Sequence, residues 1–147
     1  MSEKEHDPRD FRYRYDALVR EVYDGDTFYV DIDLGLKLWS HGVGLRLYGI
    51  NTPELTKTTK EAGYAARDFV CATLAGVPVE SVASFEKNGR RVVLPKPVPI
   101  FLHSHEDDDG KYGRLLSTVW LYNTDGELVS LNDMLLASGH AVVPSYS

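Results

Sequence analysis

The stretch Ala17-Leu18-Val19-Arg20-Glu21-Val22-Tyr23-Asp24-Gly25-Asp26-Thr27-Phe28-Tyr29-Val30-Asp31-Ile32-Asp33-Leu34 decides the fold class. Its second half is the clearer. Phe28, Val30, Ile32 and Leu34 alternate with Tyr29, Asp31 and Asp33, the period of a half-buried strand. The first half is a noisier strand, with Ala17, Val19 and Glu21 alternating with Leu18, Arg20 and Val22. Asp24-Gly25 between them is a hairpin signal. Residues 35–42 read as a loop or an irregular strand end. Val43, Leu45 and Leu47 then resume the alternation and put Arg46 on the face opposite the apolar set.

Beyond this meander the pattern changes period. Thr58-Thr59-Lys60-Glu61 has the form of a capping box, and Gly76 is a stop signal. Between them Ala62, Ala66, Phe69, Val70 and Thr73 form the apolar stripe of a helix. Residues 77–97 hold three prolines and the turn Asn88-Gly89, and read as a hairpin-like insertion. Val98 to Leu102 is a short strand. Leu115 to Tyr122 is another, closed by the turn Asp125-Gly126. A second helix begins at Ser130 and ends at Gly139. The class is α+β, mainly β. The order suggests an OB-fold-type five-stranded Greek-key barrel with two or three packed helices. Residues 1–12 are expected to form a polar, flexible N-terminal arm, and 13–147 one domain.

Composition narrows the function. A chain of 147 residues with 43% hydrophobic and 26% charged residues is of ordinary globular type and can bury a real core. No apolar run approaches the roughly 20 residues of a membrane span, so no membrane partner is expected. The charged first ten residues lack an apolar leader segment, which favours the cytoplasm. Cys71 is the only cysteine and reads as a small core residue, so neither an intrachain disulfide nor a cysteine metal site is available. The formal net charge of −6 opposes binding of a polyanion. The charge is uneven, however. Glu106 to Asp109 form an acidic run, and Lys87, Arg90, Arg91 and Lys96 a basic one.

Three motifs carry the chemistry: Asp24-Gly25-Asp26-Thr27, then Arg46-Leu47-Tyr48-Gly49-Ile50-Asn51-Thr52-Pro53-Glu54, and far downstream Lys111-Tyr112-Gly113-Arg114. They offer carboxylate and amide oxygens for a hard cation, a spare carboxylate and two arginines. A phosphodiester repels nucleophiles and has a poor leaving group, so its hydrolysis needs cationic charge and an aimed water. These parts suit that reaction.

On these motifs, in this order and each at a predicted strand end, the chain resembles the staphylococcal nuclease-like (thermonuclease) family from about Tyr15 to Val143. The resemblance implies an OB-type barrel and a Ca²⁺-dependent nuclease acting on DNA, RNA or both with low sequence specificity. It implies Asp26, Asn51 and the Thr52 carbonyl as metal ligands, Glu54 as the group handling the attacking water, and Arg46 and Arg114 as phosphate binders. There are departures. Asn51 stands where the family has an aspartate. The 77–97 and 106–109 segments exceed the compact pattern, and the family's third, C-terminal helix is expected to be missing.

Asp24 serves the turn or an outer shell of the metal. Tyr112 stacks on a base or packs on the barrel, with Lys111 beside it and Tyr146 a weaker candidate of the same kind. Lys87, Arg90 and Arg91 either track a strand's backbone or form a solvated loop. His103 and His105 alternate along a strand end and, with Glu106, suggest a transition-metal trio, although two histidines beside an acidic loop are usually bland. Single-stranded DNA or RNA is the expected partner, with no obligate protein partner. The rival expectation is an OB-type nucleic-acid-binding module weakened in catalysis by Asn51.

Overall fold

The structure, a computed structural model, describes residues 13–56, 58–105 and 114–144. Strands β1 (Arg14–Asp24), β2 (Thr27–Gly35) and β3 (Leu38–Leu47) form an antiparallel meander. Helix α1 (Lys60–Ala75) follows, then a 3₁₀ turn (Val79–Ser84), β4 (Lys87–Asn88), β5 (Arg91–Ser104), β6 (Leu115–Tyr122), β7 (Leu128–Ser130) and α2 (Leu131–Ala137). The sheet order is β4-β5-β1-β2-β3-β6-β7, and a further β5–β6 pairing closes five strands into a ring. The β3–β6 pair is parallel. Parallel neighbours need a long crossover, here the whole segment through α1 and β5. No helix among the described residues is long and apolar enough to cross a membrane.

The ring encloses the core. Val19, Val22, Phe28, Val30, Leu45 and Leu47 are fully buried, joined by Val70 from α1 and Leu131 and Leu135 from α2. The noise in the first strand has a physical cause. The β1–β2 register shifts between Val19 and Glu21, a bulge, so the inward positions run Ala17, Val19, Val22. Cys71 lies in this core, and burial pushes its thiol up to about 12.

Four local expectations are refined or corrected. Of the two readings of 35–42 the irregular strand end holds beyond the turn: β3 starts at Leu38 with shifts in its register, and Leu36 and Lys37, with φ of 55° and 66°, make the tight turn. The hairpin expected within 77–97 forms about Gly89, with Lys87 opposite Val92 and Asn88 opposite Arg91, but its second strand does not stay inside the segment, because β5 runs unbroken in sequence from Arg91 to Ser104. Its partner register jumps from Val98 opposite Val19 to Val93 opposite Glu21. The looped-out residues 94–97 contain Pro95 and Pro97, which have no N–H to give the ladder. The capping box does not form: Thr59 makes no side-chain cap, and its hydroxyl donates to the Glu54 carbonyl at 2.6 Å. The apolar stripe of α1 is also displaced, with Gly63 buried and Ala62 exposed. Gly76 does end α1 in the left-handed region, and the Ser130 hydroxyl caps α2 by accepting from the Asp133 amide.

Candidate active site

The turn between β1 and β2 brings the first motif to the end of the barrel where β3 leaves it. Asp26 is anchored by its backbone, since its carbonyl accepts from the Leu47 amide at 2.9 Å. Its carboxylate is buried, and Oδ2 accepts from Arg46 Nη2 at 3.3 Å and from the Thr52 amide at 3.2 Å. Arg46 stands on β3 opposite Thr27, with 28% of its side chain exposed. The same Nη2 donates to Asn51 Oδ1 at 2.5 Å. One guanidinium thus joins the two oxygens that the resemblance assigns to a cation.

Arg114 enters from the start of β6. Its Nη1 donates to Thr27 Oγ1 at 3.2 Å, and Thr27 Oγ1 donates to Asp26 Oδ1 at 3.3 Å. The two arginines therefore flank Thr27. Asp24 Oδ1 accepts from the Asp26 amide at 3.1 Å. Burial, then the Asp26 charge and hydrogen bond, push the Asp24 carboxyl up to about 7. Two carboxylates crowded out of water disfavour joint ionisation, and a cation between them relieves that repulsion.

The second motif is held from three sides. Asn51 bridges Val142 through both backbone groups, at 2.8 and 2.9 Å. The Tyr48 amide donates to the Ser117 carbonyl at 2.8 Å. Asn132, buried on α2, donates to the Tyr48 carbonyl at 2.9 Å while its Oδ1 accepts from the Val119 amide at 3.0 Å. Glu54 follows in an exposed turn, and among the described residues no hydrogen bond or ion pair reaches its carboxylate.

Several positioning residues escape a sequence reading. Gly25 is read there as a turn residue, yet its φ is not positive. Its role is close approach: a β-carbon there would stand 2.8 Å from Ala66 Cβ and 2.9 Å from Thr52 Cβ. Gly44 likewise lets the Arg114 stem cross β3, since a β-carbon would meet Arg114 Cγ at 3.3 Å. Thr27 was visible as part of its motif but not as the link between the arginines. Asn132 carried no signal, because a lone asparagine in a helix is unremarkable until its partners are seen.

Oxygen donors dominate this corner, which suits a hard cation. Asp24 and Asp26 supply carboxylates, and the buried Thr52 hydroxyl has no hydrogen-bond partner among the described residues. Also among these residues, no three His, Cys, Asp or Glu side chains gather as a metal group. The set is therefore of low charge. The Thr52 contact to Asp26 runs through its amide N–H.

Lys111, Tyr112, Tyr146 and the 106–109 run lie outside the described residues, as does Glu106. His105 stacks on Tyr48 at 3.9 Å and shares a hydrogen bond of 2.8 Å with Thr118. Burial, then the neighbouring His103, lowers its pKa. Arg91 turns away from Lys87 and Arg90, pairing with Glu21 at 3.1 Å and lying over the Tyr29 ring at 3.6 Å. No protein-family model matches the chain, and comparison with curated proteins also finds no match.

Proposed function

We propose that the protein is a Ca²⁺-dependent phosphodiesterase, hydrolysing DNA, RNA or both with low sequence specificity on an OB-type Greek-key barrel. The observation that carries this reading is the single network of Asp26, Arg46, Asn51 and Thr52, extended through Thr27 to Arg114.

Asp26, the Asn51 amide oxygen and the Thr52 carbonyl would hold the ion, with Asp24 behind them. When bound, it supplies positive charge that polarises the phosphate and lowers the pKa of nearby water. The rest falls to the chain. Arg46 and Arg114 present planar donors to the non-bridging oxygens, where negative charge grows as the pentacoordinate state forms. Glu54 orients a water in line with the leaving oxygen and takes its proton. The new P–O bond forms, the bond to one sugar oxygen breaks, and that oxygen takes a proton from solvent. No helix among the described residues is set to read a groove, so an accessible single strand is the fitting substrate.

One observation favours a second reading, a nucleic-acid-binding barrel with little turnover. Asn51 brings no charge and already gives its amide oxygen to Arg46. Digestion of single-stranded DNA with Ca²⁺ or with a chelator separates the two. Calcium-dependent cleavage is the expected result, and binding without cleavage under both conditions would replace the nuclease by the binding module.

A further inference from the structure

Helix α1 and the β4–β5 hairpin face each other across a cleft of about 420 Å³. Lys60, Tyr64 and Arg67 recur at helical spacing and share one face of α1. Lys87 and Arg90 line the opposite wall. None of the lining residues is acidic, and outside the lining Asp68 accepts from Arg67 Nε and Nη2 at 3.0 and 2.9 Å. The Arg67 guanidinium lies 4.5 Å over the Tyr64 ring, and the Lys60 ammonium 5.8 Å from it. Lys87 Nζ donates to the Phe85 carbonyl at 3.1 Å. Four cations are thus collected in one cleft of a chain whose formal charge is −6.

The cleft adjoins the candidate site by construction. Leu55 and Thr56 line its near end and directly follow Glu54. Gly63 seals α1 against that turn, since a β-carbon there would stand 2.8 Å from the Glu54 carbonyl oxygen. The segment that exceeds the compact barrel pattern, residues 77–97, supplies Lys87 and Arg90.

We propose that this cleft binds the phosphate backbone of a single nucleic-acid strand and leads it past Glu54 to the arginine pair. This rests on the nuclease reading for the destination of the strand, but the binding itself needs only phosphates. Cations bordering an open cleft concentrate a polyanion locally even when the whole molecule repels it. Each neutralised phosphate releases counterions, so the contribution is read in the salt dependence.

The test uses labelled oligothymidylates of two and sixteen nucleotides, titrated in chelator over a KCl series. The unsubstituted protein is compared with Lys87→Gln/Arg90→Gln, and digestion in Ca²⁺ is followed in parallel. For the sixteen-mer the double variant is expected to lower the slope of log K against log salt by about 1.4, two contacts at roughly 0.7 each. The dinucleotide affinity should not change. Lys60→Gln, on the helix wall, should remove about 0.7. An unchanged sixteen-mer slope in both variants, with cleavage intact, overturns the cleft and leaves the nuclease standing. A reduced slope without cleavage by any form keeps the cleft and removes the nuclease. Oligoglutamate bound more tightly than oligothymidylate of equal charge would overturn the assignment in favour of an acidic polypeptide.

Discussion

The turn cluster around Asp26 and the cleft around Tyr64 hold charges in opposite ways. In the first, Asp26 is only 6% exposed and its partners are shared, Arg46 Nη2 serving both Asp26 and Asn51. In the second, Lys60, Lys87 and Arg90 are solvent-exposed, on separate elements. Chemistry on one phosphate needs preorganised groups, because a dipole that must reorient during reaction loses its advantage. Holding a flexible strand needs charge without a fixed geometry. The two regions should therefore answer differently to mutation, salt and pH.

The largest contrast is expected at Glu54. Glu54→Gln should lower single-strand hydrolysis by about 10²–10⁴ while oligonucleotide affinity in chelator stays the same. The Lys87→Gln/Arg90→Gln variant should show the reverse. Equal turnover by Glu54→Gln and wild type would dissolve the distinction.

Gly25→Ala comes next. Its β-carbon must displace α1 or Thr52, so unfolding in denaturant should show a loss of about 1–3 kcal/mol, with activity falling beyond that as Thr52 moves. A variant of wild-type stability and activity would mean that the packing of the turn on α1 is slack.

Asn51→Asp sharpens the electrostatic side. Adding a charge to a low-charge donor set should strengthen Ca²⁺ binding by about tenfold, near 1.4 kcal/mol, by calorimetric titration. Equal affinities would remove residue 51 from the ligand set.

Asp24 gives the smallest and most diagnostic effect. Its carboxyl is raised from 3.8 to about 7, so the folded state binds the proton more tightly. That contribution is fully present below about pH 4 and is lost as pH rises through 7. Without metal, Asp24→Asn should therefore melt a few degrees above wild type at pH 8, about 1 kcal/mol after solvent screening. In thermal scans at pH 4 the two should coincide. A constant difference at both pH values would show that the turn carries no titrating strain.

Much of the barrel was legible because strand alternation is a local property. Phe28, Val30 and Ile32 point inward as their spacing requires, and Gly76 ends its helix where a left-handed residue is needed. Asp26, Arg46, Asn51 and Thr52 were legible as a group because two short segments hold them. Legibility failed where a residue acts through remote partners. Leu34 keeps the alternation yet is 51% exposed, since β2 runs past the barrel's end. Asp31, on the outward face, is nonetheless buried: burial alone would raise its pKa, but Arg20, the Gly42 amide and His41 outweigh this and lower it.

By itself, then, the chain order specified a mainly β domain, two helices with their stops, and a compact list of oxygen and guanidinium groups. Those follow from backbone sterics and side-chain period, which act within a few residues. Only the folded arrangement decided that β5 joins β6 to close the ring, that Arg91 leaves the basic group for Glu21, and that α1 meets Lys87 and Arg90 across a cleft. Such meetings depend on how distant surfaces share one core, and no local pattern records that.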